Sequence, residues 1–187
     1  MKIDRFRKYP FTSSVFDKVA STIVNHDQDK FVPMVIDNNP GTNQDLPYSF
    51  KFVGLGEPEN SSEEIVSLSV NLVNDIKDRY DLISPLMVYY PPGGFIDWHT
   101  NENAGMFNAI CTYSHTGNSF FEYKNTEGTV IRVDDDPGWT VKVTYWGTEE
   151  PVPHRAVSND HRISFALSSK QYEPVERFVV DLVSGTF

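Results

Sequence analysis

From residue 84 onward the chain is a series of short apolar runs, each closed by a turn signal, and this limits the folds open to it. The runs are PLMVYY (85–90), GFIDW (94–98), MFNAICTY (106–113), SFFEYK (119–124), TVIRVD (129–134), WTVKVTYW (139–146), HRAV (154–157), RISFALS (162–168) and RFVVDLV (177–183). They are rich in β-branched and aromatic residues, which suit a pleated, half-buried surface. The separators PPGG, SHTGN, NTEG, DDDPG, TEEPVP and SND carry turn chemistry. Strands at a spacing of roughly 8–12 residues, with little helix between them, predict an antiparallel sandwich or barrel.

The first part of the chain differs. Val15, Phe16, Val19, Ala20, Ile23 and Val24 recur at helical spacing and predict a helix over 13–25, with Thr12 or Ser13 as N-cap. Residues 61–80 predict a second helix: Ile65, Leu68, Leu72, Val73, Ile76 and Tyr80 form one stripe, and Ser61 with Glu64 reads as a capping box. DKFVPMVID reads as a strand that Pro33 demotes to an edge or bulge, SFKFVGLG as another strand, and residues 1–11 as extended. The expected fold class is α+β, mainly β: a sandwich or jelly-roll with N-terminal helices packed outside. No linker divides the chain, so residues 1–187 are expected to form a single domain.

Charge narrows the partners. A formal net charge of −10 disfavours a phosphate backbone or an anionic membrane. Cys111 is the only cysteine, which excludes an internal disulfide. No run of about 18 apolar residues and no signal-peptide core is present, so the expectation is a soluble, cytoplasmic protein that does not bind membranes.

Two histidines stand out from the five in the chain. His99 closes the segment YYPPGGFIDWH, and His154 follows in PVPHRAV. Both lie at strand ends, where two imidazoles from different strands can meet on one ion. Asn101, two residues after His99, points to the same side of a regular strand and is the third candidate metal ligand. Arg162 opens RISFALS. Alternation places it with Ser164 and Ala166 on one strand face, and a guanidinium on an inner face needs an anion. These residues suggest a mononuclear metal site beside an acidic ligand.

Taken in order, the tyrosine-bearing strand YYPPGGFIDW, the HTN segment, the pair NAICTYS and NSFFEY, the strand PGWTVKVTYW leading to PVPHRAV, and HRISFAL resemble the iron(II)/2-oxoglutarate-dependent dioxygenase superfamily. The style is closest to its prolyl-hydroxylase-like branch, and the similarity spans roughly residues 84–170. The resemblance implies a double-stranded β-helix (jelly-roll) fold, with iron(II), 2-oxoglutarate and dioxygen as cofactor and co-substrates. His99 and His154 take the place of the iron ligands. Arg162, helped by Ser164, takes that of the residue pairing with the distal carboxylate of 2-oxoglutarate. Tyr89 or Tyr90, and Tyr113, stand where the family places pocket tyrosines.

Asn101 departs from the pattern, which has aspartate or glutamate there. Its carbonyl oxygen ligates, or water fills the position, or Glu102 reaches in from the next position. The implied reaction is hydroxylation of a C–H bond in a protein, peptide or small-molecule substrate, with nucleic acid disfavoured. Three other readings stand beside it. One is a halogenase variant of the family, in which a small residue replaces the carboxylate ligand to admit halide and for which asparagine is large. Another is a jelly-roll binding protein whose metal site is weakened or lost through Asn101. The third is a zinc hydrolase, which would leave Arg162 without a role.

Overall fold

The computed structural model describes residues 6–36, 49–83, 87–100, 106–146 and 152–187. Its strands are β1 (Phe6–Phe11), β2 (Met34–Ile36), β3 (Phe50–Gly54), β4 (Met87–Tyr90), β5 (Phe95–His99), β6 (Phe107–Ser114), β7 (Ser119–Lys124), β8 (Val130–Asp134), β9 (Gly138–Tyr145), β10 (His154–Ser158) and β11 (Arg162–Ser169). Among the described residues they form one antiparallel sheet, ordered β1-β9-β6-β11-β4-β3-β5-β10-β7-β8, with β2 on β3. The sheet folds over on itself at β3. Val53 and Gly54 pair with β4, while Phe50 and Lys51 pair with β5. One layer therefore runs β1-β9-β6-β11-β4 and the other β5-β10-β7-β8, a double-stranded β-helix.

Alternation divides the larger layer into two chemically different faces. Trp139, Val141, Ala109, Cys111, Ile163, Phe165, Leu167, Met87 and Tyr89 point outward into the main apolar core. Helix α1 (Ser14–Val24) covers this face with Phe16, Val19, Ala20 and Ile23, and α2 (Glu63–Tyr80) with Ile65, Leu72, Ile76 and Tyr80. A fully buried side chain such as Phe16 contributes roughly 1.5–3 kcal/mol. The inner face carries Thr140, Lys142, Thr144, Asn108, Thr112, Ser114, Arg162 and Ser164, all buried. The smaller apolar cluster of Ile110, Phe121, Trp146, Val152 and Ala156 lies between the layers.

Two expectations are corrected and one is narrowed. RFVVDLV is not a strand but part of α3 (Tyr172–Ser184). Its Val175, Phe178, Val179 and Leu182 are buried at helical spacing, and Gly185 at φ 75° stops the helix in the left-handed conformation. The β-branched content of 177–183 masked that period. The N-cap of α2 is Ser62 rather than Ser61, its Oγ accepting from the Ile65 N–H at 3.4 Å. Among the described residues of DKFVPMVID only Met34–Ile36 pairs, as an edge strand on β3, after a short 3₁₀ turn at Gln28–Lys30. Among the described residues no helix is long and apolar enough to cross a membrane.

Candidate metal and co-substrate site

The turn Pro91-Pro92-Gly93-Gly94 starts the strand that ends in His99. A Cβ at Gly94 would lie 2.7 Å from the Pro91 carbonyl, so only glycine fits. The Gly93 N–H donates to the Ser158 carbonyl, and the Ser158 N–H to the Gly94 carbonyl, each at 2.8 Å. These bonds lock the start of β5 to the end of β10. The opposite ends of the two strands then bring His99 and His154 face to face in the register.

A register shift between His154 and Ala156 opens an irregularity in β5, because Ala156 pairs with Ile96 rather than with Asp97. An extra residue on one strand of a pair re-aims its neighbours. Ile96 and His99, three apart, consequently both line the cavity. Trp98 lies between the cations of Lys124 and Arg155, each 5.1 Å from its ring centroid.

The two imidazoles are held in the same tautomer. His99 Nδ1 donates to the Asp97 carbonyl at 2.7 Å, and His154 Nδ1 donates to the Val152 carbonyl at 2.8 Å. Each ring therefore carries its lone pair on Nε2, the form that ligates a metal. The ring centroids are 4.2 Å apart. Burial pushes the His99 pKa down, only partly opposed by the Asp97 carbonyl. Burial, and then the neighbouring His99, push that of His154 well below its usual value. Both rings are neutral donors at physiological pH. The walls beside them are Trp146, 4.2 Å from His154 between centroids, and Phe121 at 5.6 Å.

The same cavity, of about 180 Å³, reaches Tyr90, Arg162, Ser164 and Ala166 on the larger layer. Arg162 is buried, with its guanidinium 5.1 Å from the Tyr90 ring centroid. Its Nε donates to Asp135 Oδ2 at 2.8 Å, and Lys142 Nζ donates to Asp135 Oδ1 at 2.6 Å. One carboxylate thus sits between two buried cations. Although burial alone would raise it, the Asp135 carboxyl is held down at about 2 by Arg162 and Lys142. Lys142 is disfavoured as a cation: burial lowers it to about 8 despite the attraction of Asp135, and Arg162 adds repulsion. The aspartate gains from both neighbours and the lysine does not, because a single anion serves two cations. The triad is net positive.

His99, His154, Arg162 and Ser164 thus share one cavity. Tyr89 and Tyr113 do not join them, and the correction follows from strand alternation. Tyr90 faces the cavity, whereas Tyr89 faces the helices, donating to Gln28 Oε1 at 2.6 Å and lying 2.6 Å from His161 Nδ1. Tyr113 packs on the outer face against Trp139 at 5.5 Å. Asn101 and Glu102 lie outside the described residues. Among the described residues no three His, Cys, Asp or Glu side chains cluster as a metal-binding group. A larger groove of about 440 Å³, between α3 and the outer face of β1, holds none of the candidate site residues. Sequence reasoning missed Asp135 and Lys142. The available signal was alternation in WTVKVTYW, which sets Lys142 on the face opposite Trp139, Val141 and Val143.

No protein-family model matches the sequence, and no curated protein matches it. Solved structures do match in fold. A prolyl hydroxylase from Trichoplax adhaerens, solved with a hypoxia-inducible-factor oxygen-degradation-domain peptide, aligns over 92% of this chain and 87% of its own at 14% identity and TM-score 0.51. The chain has the double-stranded β-helix fold of that hydroxylase. An oxidoreductase of the 2OG-Fe(II) oxygenase family from Burkholderia pseudomallei aligns over 89% of this chain and 86% of its own, at 16% identity and TM-score 0.48. A Pseudomonas putida prolyl-4-hydroxylase aligns over 87% and 90%, at 14% identity and TM-score 0.46.

Proposed function

We propose that this chain is an iron(II)/2-oxoglutarate-dependent dioxygenase that hydroxylates a C–H bond in a protein, peptide or small-molecule substrate. The observation that carries the reading is one cavity lined both by two Nδ1–H imidazoles, His99 and His154, and by the buried Arg162 with Ser164. The residues fit the group. His99 and His154 would hold iron(II) through Nε2, with Asn101 in the ligand position that follows in sequence. Arg162 and Ser164 would hold the distal carboxylate of 2-oxoglutarate, the planar guanidinium fork suiting two carboxylate oxygens. Bound iron with its co-substrate supplies dioxygen activation for oxidation of an unactivated C–H bond. The protein's own residues bind, orient and exclude water. Ile110, Phe121, Trp146 and Tyr90 wall the cavity with apolar surface, which strengthens every electrostatic contact inside it.

Asparagine at position 101 removes a negative charge from the ligand set. That favours a second reading, a binding protein with a weakened metal site. Anaerobic titration of metal-stripped protein with iron(II), with and without 2-oxoglutarate, separates the two. A weak visible charge-transfer band that needs both additions, and disappears in His99→Ala, is the expected result. Absence of any band, together with no retained iron, would refute the dioxygenase reading.

A further inference from the structure

We propose that Lys142 is a positioning residue that keeps the cavity floor cationic, by neutralising Asp135 so that the charge of Arg162 stays available to an anionic ligand arm. This deepens the reading above and rests on it. Lys142 is fully buried and is not among the residues lining the cavity of His99 and Arg162, so its ammonium acts there through Asp135. Asp135 is also buried, and each of its oxygens takes one cation: Oδ1 accepts from Lys142 and Oδ2 from Arg162.

The bond to Arg162 uses Nε, the edge of the guanidinium nearest its own stem. That fixes the plane of the fork against Tyr90 while Arg162 and Ser164 line the cavity. Arg162 with Asp135 alone is a neutral pair, and a neutral pair has little to offer a second carboxylate. Lys142 restores a unit of positive charge. Lys8, opposite Lys142 in the register, does not supply it, because it is engaged with Asp136 at 2.7 Å and with the Asp134 carbonyl at 3.0 Å. Counting formal charges on the three residues gives +1 for the native triad, 0 for Lys142→Met, and +1 again for the double variant that combines Asp135→Asn with Lys142→Met. In that double variant the side-chain amide oxygen at position 135 still accepts from Arg162 Nε.

The test is calorimetric binding of 2-oxoglutarate to the manganese(II)-loaded protein, with pyruvate as the keto acid that lacks the distal carboxylate. Folding of each variant is checked by circular dichroism. Lys142→Met is expected to weaken 2-oxoglutarate binding by about tenfold or more, the scale of losing one charge at a buried site, and to leave pyruvate unchanged. The double variant is expected to return to within a few fold of the native affinity. If Lys142→Met fails to fold, native-like binding by the folded double variant still supports the proposal. Native-strength binding by Lys142→Met overturns this inference and leaves the dioxygenase reading intact. So does failure of the folded double variant to recover, which would make the role of Lys142 structural. No binding of 2-oxoglutarate to the native protein overturns the dioxygenase reading and this inference with it.

Discussion

Replacing Asp135 alone is the sharpest probe of the buried triad. Asp135→Asn keeps the volume but leaves Lys142 and Arg162, both buried, without an anion between them. Removing one partner of a buried pair costs about 3–5 kcal/mol, because an uncompensated charge stays behind. That is a large fraction of the roughly 5–15 kcal/mol available to a folded domain. The variant has an escape that sets its pH dependence. Asp135 is what raises Lys142 toward its ordinary range, against burial and Arg162. Without Asp135, the folded-state pKa of Lys142 falls below the native value of about 8, while the unfolded value stays near 10.5.

The unfolded variant therefore binds more protons than the folded one from below pH 8 upward, so its stability rises with pH across that window. In the native protein the corresponding rise begins only near pH 8. The deficit of the variant should be about 3–5 kcal/mol at pH 6 and clearly smaller at pH 9. Urea unfolding followed by tryptophan fluorescence measures both. A loss below about 1 kcal/mol at pH 6, or an equal deficit at the two pH values, would refute the account of the triad.

Other expectations follow from the same structure. The native protein should lose about 2 kcal/mol as pH falls from near 4 through 2, since the Asp135 pKa is depressed from 3.8 to about 2, and Asp135→Asn should lack that step in acid unfolding. His99→Ala and His154→Ala should each lower manganese(II) affinity by on the order of 100-fold in calorimetry, since each removes one of two imidazoles; Asn101→Asp should raise it by adding a charged oxygen ligand. Phe178→Ala should cost about 3–5 kcal/mol in denaturant unfolding, because its ring is fully buried between α3 and Tyr80. An effect below about 1 kcal/mol would mean that α3 does not hold the sheet's outer face.

The legible parts of this chain are those where pattern and environment agree. The strands of the larger layer, β4, β6, β9 and β11, alternate because one face meets the apolar core under the helices and the other meets the barrel interior. His99, His154 and Arg162 were singled out as residues at strand ends, and the structure sets all three on the lining of one cavity. What failed has specific causes. Residues 177–183 carry Val179, Val180 and Val183, whose β-branched side chains suit a strand; the helix follows from apolar spacing that begins at Val175. Tyr89 and Tyr90 are adjacent, so one of them had to face away, and only the pairing of Arg162 with Tyr90 decides which. Asp135 was hidden in DDDPG, a segment with the composition of a solvated turn. Its neighbours Asp134 and Asp136 are exposed, and only a fold that turns one carboxylate inward separates it from them.

On the proposed reading, the triad also answers a problem that an anion-binding barrel must solve. A cavity that holds a dicarboxylate needs buried positive charge, yet that charge must be tolerated before the ligand arrives. Lys142 and Arg162 alone would place two like charges in a low-dielectric interior, at a cost of several kcal/mol per ion. A full complement of carboxylates would make folding easier and leave nothing for the ligand. A single aspartate between two cations is the intermediate solution. It offsets one charge, orients the guanidinium through Nε, and leaves one unit of attraction in a cavity walled by aromatic and aliphatic side chains. The depressed Lys142 and the depressed Asp135 record the two sides of that balance: the lysine bears the folding cost, and the aspartate gains from both neighbours. On that reading, the residues that balance buried charge in the fold also set how strongly the cavity draws an anion.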